Sequence, residues 1–240
     1  MEEVNKRPGG QISKRTSKVI FVCDTSGSML ENGKIAELNS CLRESIPHIQ
    51  KIADEATNAE IQISIMGFNN VPKWEEQNKP IKEFTWKDMK ANPDGETNIG
   101  AAFDLLALEM NSPTMPERGY PPLVVVVTDG LATDNYTVGL QAFLQSKWGA
   151  KSVRYGIAIG KDADVSCLTK FINNAERKPI KANNPEQLAK AIRLVSTVVF
   201  KQVVAPPSTP PSAVPATPTA SLVATAPVAP TAVETSSDVW

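Results

Sequence analysis

The run Leu123–Thr128, LVVVVT, constrains the chain more than any other segment. Six mostly β-branched residues with no polar alternation make a strand buried on both faces, and such strands belong in the middle of a parallel sheet. A second apolar run, Lys18–Cys23, is strand-like too and stops abruptly on Asp24. Glu60–Phe68 (EIQISIMGF) and Ser152–Ile159 (SVRYGIAI) read as further strands, and Ile180–Ala182 as a short last one at an edge. Lys82–Trp86 is a shorter alternating piece, expected to pair antiparallel at an edge.

Helical periods fall between these strands. Ile35, Leu38, Leu42, Ile46, Ile49, Ile52 and Ala56 recur at spacings of three and four, which predicts an amphipathic helix. Pro47 lies inside it and is expected to kink or divide it, because proline removes the bond back to Arg43. Asn98–Met110, Thr137–Trp148 and Val165–Ile172 are the next helices. Asn184-Pro185-Glu186 supplies a cap, a fixed first residue and a first-turn acid for a last helix running to about Phe200. The alternation predicts an α/β domain: a doubly wound, mostly parallel, Rossmann-like central sheet flanked by helices, with one antiparallel edge strand.

Composition sets the limits of that domain. From Lys201 to Trp240 the chain holds eight of its 19 prolines among Ala, Thr, Val and Ser. Proline so frequent cannot run regular helix or sheet, and little large apolar surface is left to bury. Residues 202–240 are therefore expected to be a disordered Pro/Ala/Thr-rich tail, 1–17 a flexible arm, and 18–201 the folded domain. Lys6, Arg7, Lys14, Arg15 and Lys18 make the arm mildly basic, and solvation is their expected role. A net charge of −1 argues against a nucleic-acid surface. No apolar run reaches membrane-spanning length and no secretory leader stands in the first thirty residues, so the expected setting is cytoplasmic, away from membranes. Cys23, Cys41 and Cys167 are an odd count in apolar-periodic segments, which predicts buried free thiols. The single histidine, His48, lies off its helix's apolar stripe, which removes His-rich zinc hydrolysis.

In parallel sheets, ligands bind outside the carboxyl ends of the strands. Asp24 and Asp129 both follow strands, and the loop Asp94–Asn98 (DGETN) opens a helix at the same rim. Asp24, Ser26, Ser28, Thr97 and Asp129 together offer two carboxylates and three hydroxyls with no imidazole. Such a set suits Mg²⁺, Mn²⁺ or Ca²⁺. Each acid alone is more often a turn or cap residue, but Ser26 and Ser28 exceed any capping need. Two acids leave a divalent ion little countered, so it should attract an outside anionic oxygen. Two rival readings use the same residues. Gly27 to Gly33-Lys34 has the wrong spacing for a phosphate loop, and Ile35 stands where the Mg²⁺-binding hydroxyl is needed. An aspartate-dependent phosphotransferase or phosphatase would use Asp24 as nucleophile, but Ser26 replaces the usual second acid and only Lys161 offers a late lysine.

Asp24-Thr-Ser26-Gly-Ser28 resembles the D-x-S-x-S signature of von Willebrand factor A (VWA) domains, which carry a metal-ion-dependent adhesion site. Thr97 in ETNIG and Asp129 in VVVVTDG match that family's other two ligand segments. The likeness spans about Lys18 to Phe200 and includes Leu38-Asn39 and YGIAIGKDADVSCLTKF. Within the family, DTSGSM, the Thr133-Asp134 pair after TDG, and IGKDAD are most similar to the bacterial tellurium-resistance TerY type. The resemblance implies a non-enzymatic module that binds a partner's Asp or Glu through a divalent cation. Ser26, Ser28 and Thr97 would touch the metal directly, while Asp24 and Asp129 would act mostly through water or hydrogen bonds. It also implies a stress-response setting with a protein kinase and a metal-dependent phosphatase as partners. Asn98 departs from the pattern, which expects a small hydroxyl residue or glycine there. Met29 is expected to pack under the motif, and Trp74 and Trp86 to anchor in the core.

Overall fold

The computed structural model of the chain describes residues 14–161 and 163–204. Strand and helix alternate as β1 (Arg15–Asp24), α1 (Lys34–Glu55), β2 (Ala59–Phe68), β3 (Lys73–Pro80), α2 (Ile99–Asn111), β4 (Leu123–Thr128), α3 (Tyr136–Gln145), β5 (Val153–Ile159), α4 (Ser166–Ile172), β6 (Ile180–Ala182) and α5 (Pro185–Val204). The strands form one sheet in the order β3-β2-β1-β4-β5-β6, parallel throughout except for β2 with β3. This is the expected Rossmann-like architecture. Among the described residues no helix is long and apolar enough to cross a membrane.

Alternation along the central strands builds two cores. Val19, Phe21 and Cys23 of β1 face α1 and α5, with Val125, Leu38, Ile49 and Leu188 in the same cluster. Ile20 and Val22 face α2, α3 and α4, where Phe103, Phe143 and Phe171 stack with ring centroids 5.4 to 6.4 Å apart. Val124 to Val127 are fully buried, so both faces of LVVVVT are used as its composition requires. Each fully buried aliphatic side chain of this kind contributes about 1.5–3 kcal/mol. Trp74 and Trp86 pack against the two cores, and Met29 is buried.

Four expectations are corrected. The antiparallel edge strand is Lys73–Pro80, not Lys82–Trp86; residues 81–83 form a 3₁₀ turn instead. Pro47 does not divide α1, which runs unbroken as a helix of 22 residues. Arg43 and Pro47 are both exposed, so the missing bond falls on the solvent side while Ile46 and Ile49 stay packed. Lys18 is not a solvated arm residue: it is buried, with its ammonium 3.0 Å from a Glu109 carboxylate oxygen. Arg15, also assigned to the arm, lies in β1 and stacks its guanidinium 4.6 Å from the Tyr120 ring centre. Thr16 and Ser17 of the expected arm also lie in β1, while residues 1–13 of the arm and 205–240 of the tail lie outside the described residues.

Candidate metal centre

The chain leaves β1 toward β2 on one side and later enters β4 on the other, so the switch point of the sheet lies between β1 and β4. Crevices at such points, beyond the strands' carboxyl ends, are where ligands bind. Register places Cys23 opposite Val127, which brings Asp24 and the Thr128-Asp129 corner side by side. Asp24 is fully buried; one of its carboxylate oxygens accepts from the Ser26 N–H at 2.8 Å and the other from the Thr128 hydroxyl at 2.6 Å. Burial pushes its pKa up to about 6, outweighing the hydrogen bonds from Ser26 and Thr128 that favour the carboxylate. Neighbouring Cys23 faces the core, and burial drives its thiol upward, which keeps it protonated and out of the donor set.

Backbone contacts fold the motif loop over the rim. The Thr25 N–H donates to Phe68 O at 2.8 Å, and the Gly27 N–H to Gly95 O at 3.0 Å. A Cβ on Gly27 would meet Pro93 O at 2.5 Å, so only glycine lets the DTSGS loop approach the 92–95 loop this closely. The Ser26 and Ser28 hydroxyl oxygens stand 3.1 Å apart, and the Ser28 hydroxyl donates to an Asp129 carboxylate oxygen at 2.7 Å.

The third segment is held by residues that the sequence reading did not assign to the site. Thr133 accepts from the Thr97 N–H at 3.0 Å through its hydroxyl, and its own N–H donates to Thr97 O at 3.1 Å. Asp134 accepts from the Gly100 and Ala101 N–H groups, each at 3.0 Å, and so caps α2 from another loop. Asn98, the departure from the family pattern, bridges loops: it donates to Asn70 O at 3.1 Å and accepts from the Thr133 hydroxyl at 2.8 Å. In the sequence, Thr133-Asp134 stands out only as a likeness to the family. Their spacing after Asp129 was the signal, since a short acid one loop away can cap a helix whose own start lacks a side-chain cap.

Lys34, which the sequence offers only as a mismatched phosphate-loop lysine, also enters the site. Asn32 and Gly33 take left-handed φ values of 51° and 71°, a turn those residue types accommodate, and α1 starts at Lys34. The Lys34 ammonium lies 2.8 Å from the second Asp129 oxygen and 3.5 Å from Ser28 O.

All five predicted oxygen donors thus come to one rim. A Cβ on Gly130 would stand 3.5 Å from the Thr97 hydroxyl oxygen and 3.9 Å from that of Ser28, so the two hydroxyls border one gap left by the missing side chain. An octahedral Mg²⁺ shell at its usual bond lengths puts adjacent oxygens about 2.9 Å apart, and Ca²⁺ needs wider spacing. The Ser26–Ser28 separation of 3.1 Å lies near the smaller value. Among the described residues, no three His, Cys, Asp or Glu side chains gather as a metal cluster. The set is instead two acids with three hydroxyls, which fits a hard divalent ion. By contrast, an aspartyl nucleophile needs an accessible oxygen, and Asp24 presents neither of its two to solvent.

Family comparison agrees with this geometry. The von Willebrand factor type A domain model matches residues 18–194, and the chain belongs to that family. Members of the family are commonly metal-dependent protein-interaction modules. Among solved structures, the chain is similar to proximal thread matrix protein 1 of the mussel byssus with a zinc-occupied MIDAS motif, at TM-score 0.60 and 16% identity over 78% of this chain and 49% of that one. It is also similar to the ArnB paralog VWA2 from Sulfolobus acidocaldarius, at TM-score 0.53 and 18% identity over 76% and 45%. The PilB minor pilin from Streptococcus sanguinis matches at TM-score 0.57 and 18% identity over 81% and 64%. The chain spans about half the length of the first structures it matches. No curated protein matches it.

Proposed function

We propose that the domain is a metal-dependent protein-binding module, not an enzyme, with its cation held at Asp24, Ser26, Ser28, Thr97 and Asp129. The observation that carries the reading is the convergence of oxygen donors from three loops on the gap beside Gly130. Ser26, Ser28 and Thr97 would be direct ligands; Asp24 and Asp129 supply the countercharge, through water or through their hydrogen bonds to the serines. A bound Mg²⁺ or Mn²⁺ supplies a Lewis-acidic position that a partner's Asp or Glu carboxylate can fill. A protein partner is favoured by the apolar fringe of the same rim. Leu30, Val71 and Leu131 are 46, 70 and 69% exposed, and each stands in a loop that carries or braces a ligand. Large exposed apolar side chains around a polar centre mark a protein-contact surface.

A narrower setting, cytoplasmic stress response or tellurium resistance with a kinase and a metal-dependent phosphatase as partners, rests on the phrases DTSGSM, TDG with Thr133-Asp134, and IGKDAD. Three buried unpaired cysteines favour a reducing compartment. Calorimetry with Mg²⁺ and Mn²⁺ tests the central claim: uptake of one ion is expected, lost in Asp24→Ala and Thr97→Ala with an unchanged far-UV CD spectrum. Binding of an acidic partner that persists in EDTA would refute the adhesion mechanism. The narrower setting is tested by reconstitution with a protein kinase and a metal-dependent phosphatase from the same cell, where binding should require the metal.

A further inference from the structure

We propose that Lys34 sets the charge of the cation site, weakening the hold on the metal while strengthening the hold on an anionic group bound to that metal. The inference rests on the metal-site reading above. Lys34 is buried, and its ammonium pairs with a carboxylate whose side chain has no exposed surface. Charges so placed are poorly screened by salt, so this one acts on whatever occupies the gap. Glu31 also approaches the ammonium, at 3.9 Å, but its side chain is 71% exposed and water attenuates it. Asp94 and Glu96, in the loop that carries Thr97, are exposed and attenuated by water in the same way, and Asp134 is taken up by the N–H groups of α2.

The formal charges then decide the outcome. Asp24 and Asp129 contribute −2 and Lys34 +1, so the cation meets a site of net −1. A divalent ion raises it to +1, and a carboxylate from outside brings it to zero. Without Lys34 the ion would meet −2, bind more tightly, and leave a neutral site with no net attraction for an acid. Lys34 therefore acts with opposite sign on two successive equilibria. A lysine that merely held Asp129 in place would weaken both when removed, so the pair of signs separates the two roles.

The test uses the full chain at pH 7.5, with Mn²⁺ as the first probe and acetate as the second. Calorimetry should show Lys34→Gln binding Mn²⁺ about five- to tenfold more tightly than the wild type. At saturating Mn²⁺, water-proton relaxation should show acetate binding several-fold more weakly to Lys34→Gln, with chloride at equal ionic strength as the control. Lys34→Arg, which keeps the charge, should retain the wild-type order, and Lys34→Met carries the same measurements if the glutamine variant does not fold. Equal or weaker Mn²⁺ binding by the charge-removed variant overturns the inference, as does unchanged acetate affinity. If wild type and variant both fail to take up Mn²⁺, the cation site falls and this inference with it.

Discussion

A carboxylate that accepts hydrogen bonds on both oxygens ordinarily titrates low, yet Asp24 is pushed up to about 6, because burial outweighs Ser26 and Thr128. The sign of its effect on stability follows. Its folded-state value lies above the ordinary 3.8, so between about 4 and 6 the folded chain holds a proton that the unfolded chain has released. Stability from this group is present below about 4 and is lost as pH rises through about 6. At pH 7.5 without metal, ionised Asp24 is therefore a burden, and Asp24→Asn should stabilise the protein by about 1–3 kcal/mol. Urea denaturation in EDTA at pH 7.5 and pH 4 checks this: the gain should vanish at the lower pH, and the variant should no longer take up Mn²⁺. No gain at pH 7.5 would mean that the carboxylate is not strained by burial. The five oxygens' meeting at one rim was legible in the sequence because strand ends locate Asp24 and Asp129, the serines follow Asp24 directly, and Thr97 stands where a helix opens at the same rim. Lys34 was not, because a lysine in the first turn of a helix looks like a solvated residue. Only the left-handed turn at Asn32 and Gly33 and the resulting pair with Asp129 make it otherwise.

At the level of elements, α2 carries Thr97 just before its first turn and is fixed by a cap from another loop. Asp134 makes two charge-assisted bonds to its first N–H groups, an arrangement that also favours the positive end of the helix dipole. Asp134→Ala should cost about 1–2 kcal/mol by the usual scale of lost caps. It should also weaken Mn²⁺ binding, because the start of α2, which places Thr97, loses its cap, while the bonds to Thr133 remain. Denaturation and calorimetry on one preparation read both effects, and an unchanged Mn²⁺ affinity would show that Thr97 does not depend on the cap. The same scale explains which elements the sequence concealed. KWEEQNKP has no apolar alternation, yet it becomes β3 because β2 presents an open edge to it. Lys82–Trp86 has the alternation, but Gln50 of α1 donates to Ile81 O and Phe84 O, each at 3.0 Å, and holds the segment as a turn against the helix. Pairing partners, not local pattern, decided both. For Pro47, packing on the buried side of α1 overrode the local break.

At the scale of the molecule, a second buried ion pair lies away from the cation rim, where Lys18 near the start of β1 meets Glu109 near the end of α2. Glu109 also accepts from Gln77 at 2.8 Å, Asn78 at 3.2 Å and Thr114 at 2.9 Å, so one carboxylate joins β1, β3, α2 and the loop after it. The fold therefore concentrates buried charge at both ends of α2, at the rim proposed to hold a cation and in the cluster around Glu109 that ties four elements together. Glu109→Leu should destabilise by about 3–5 kcal/mol, because it leaves the Lys18 ammonium buried and unpaired. Adding Lys18→Met removes that uncompensated charge and should recover part of the loss, though not all, since Gln77, Asn78 and Thr114 still lack their acceptor. A double-mutant cycle in urea reads this coupling. Mn²⁺ affinity of Glu109→Leu, measured where the variant remains folded, should equal that of the wild type. An equal loss of stability and metal affinity would instead mean that α2 transmits strain from one end to the other, so that the site and the cohesion of the domain are not separable.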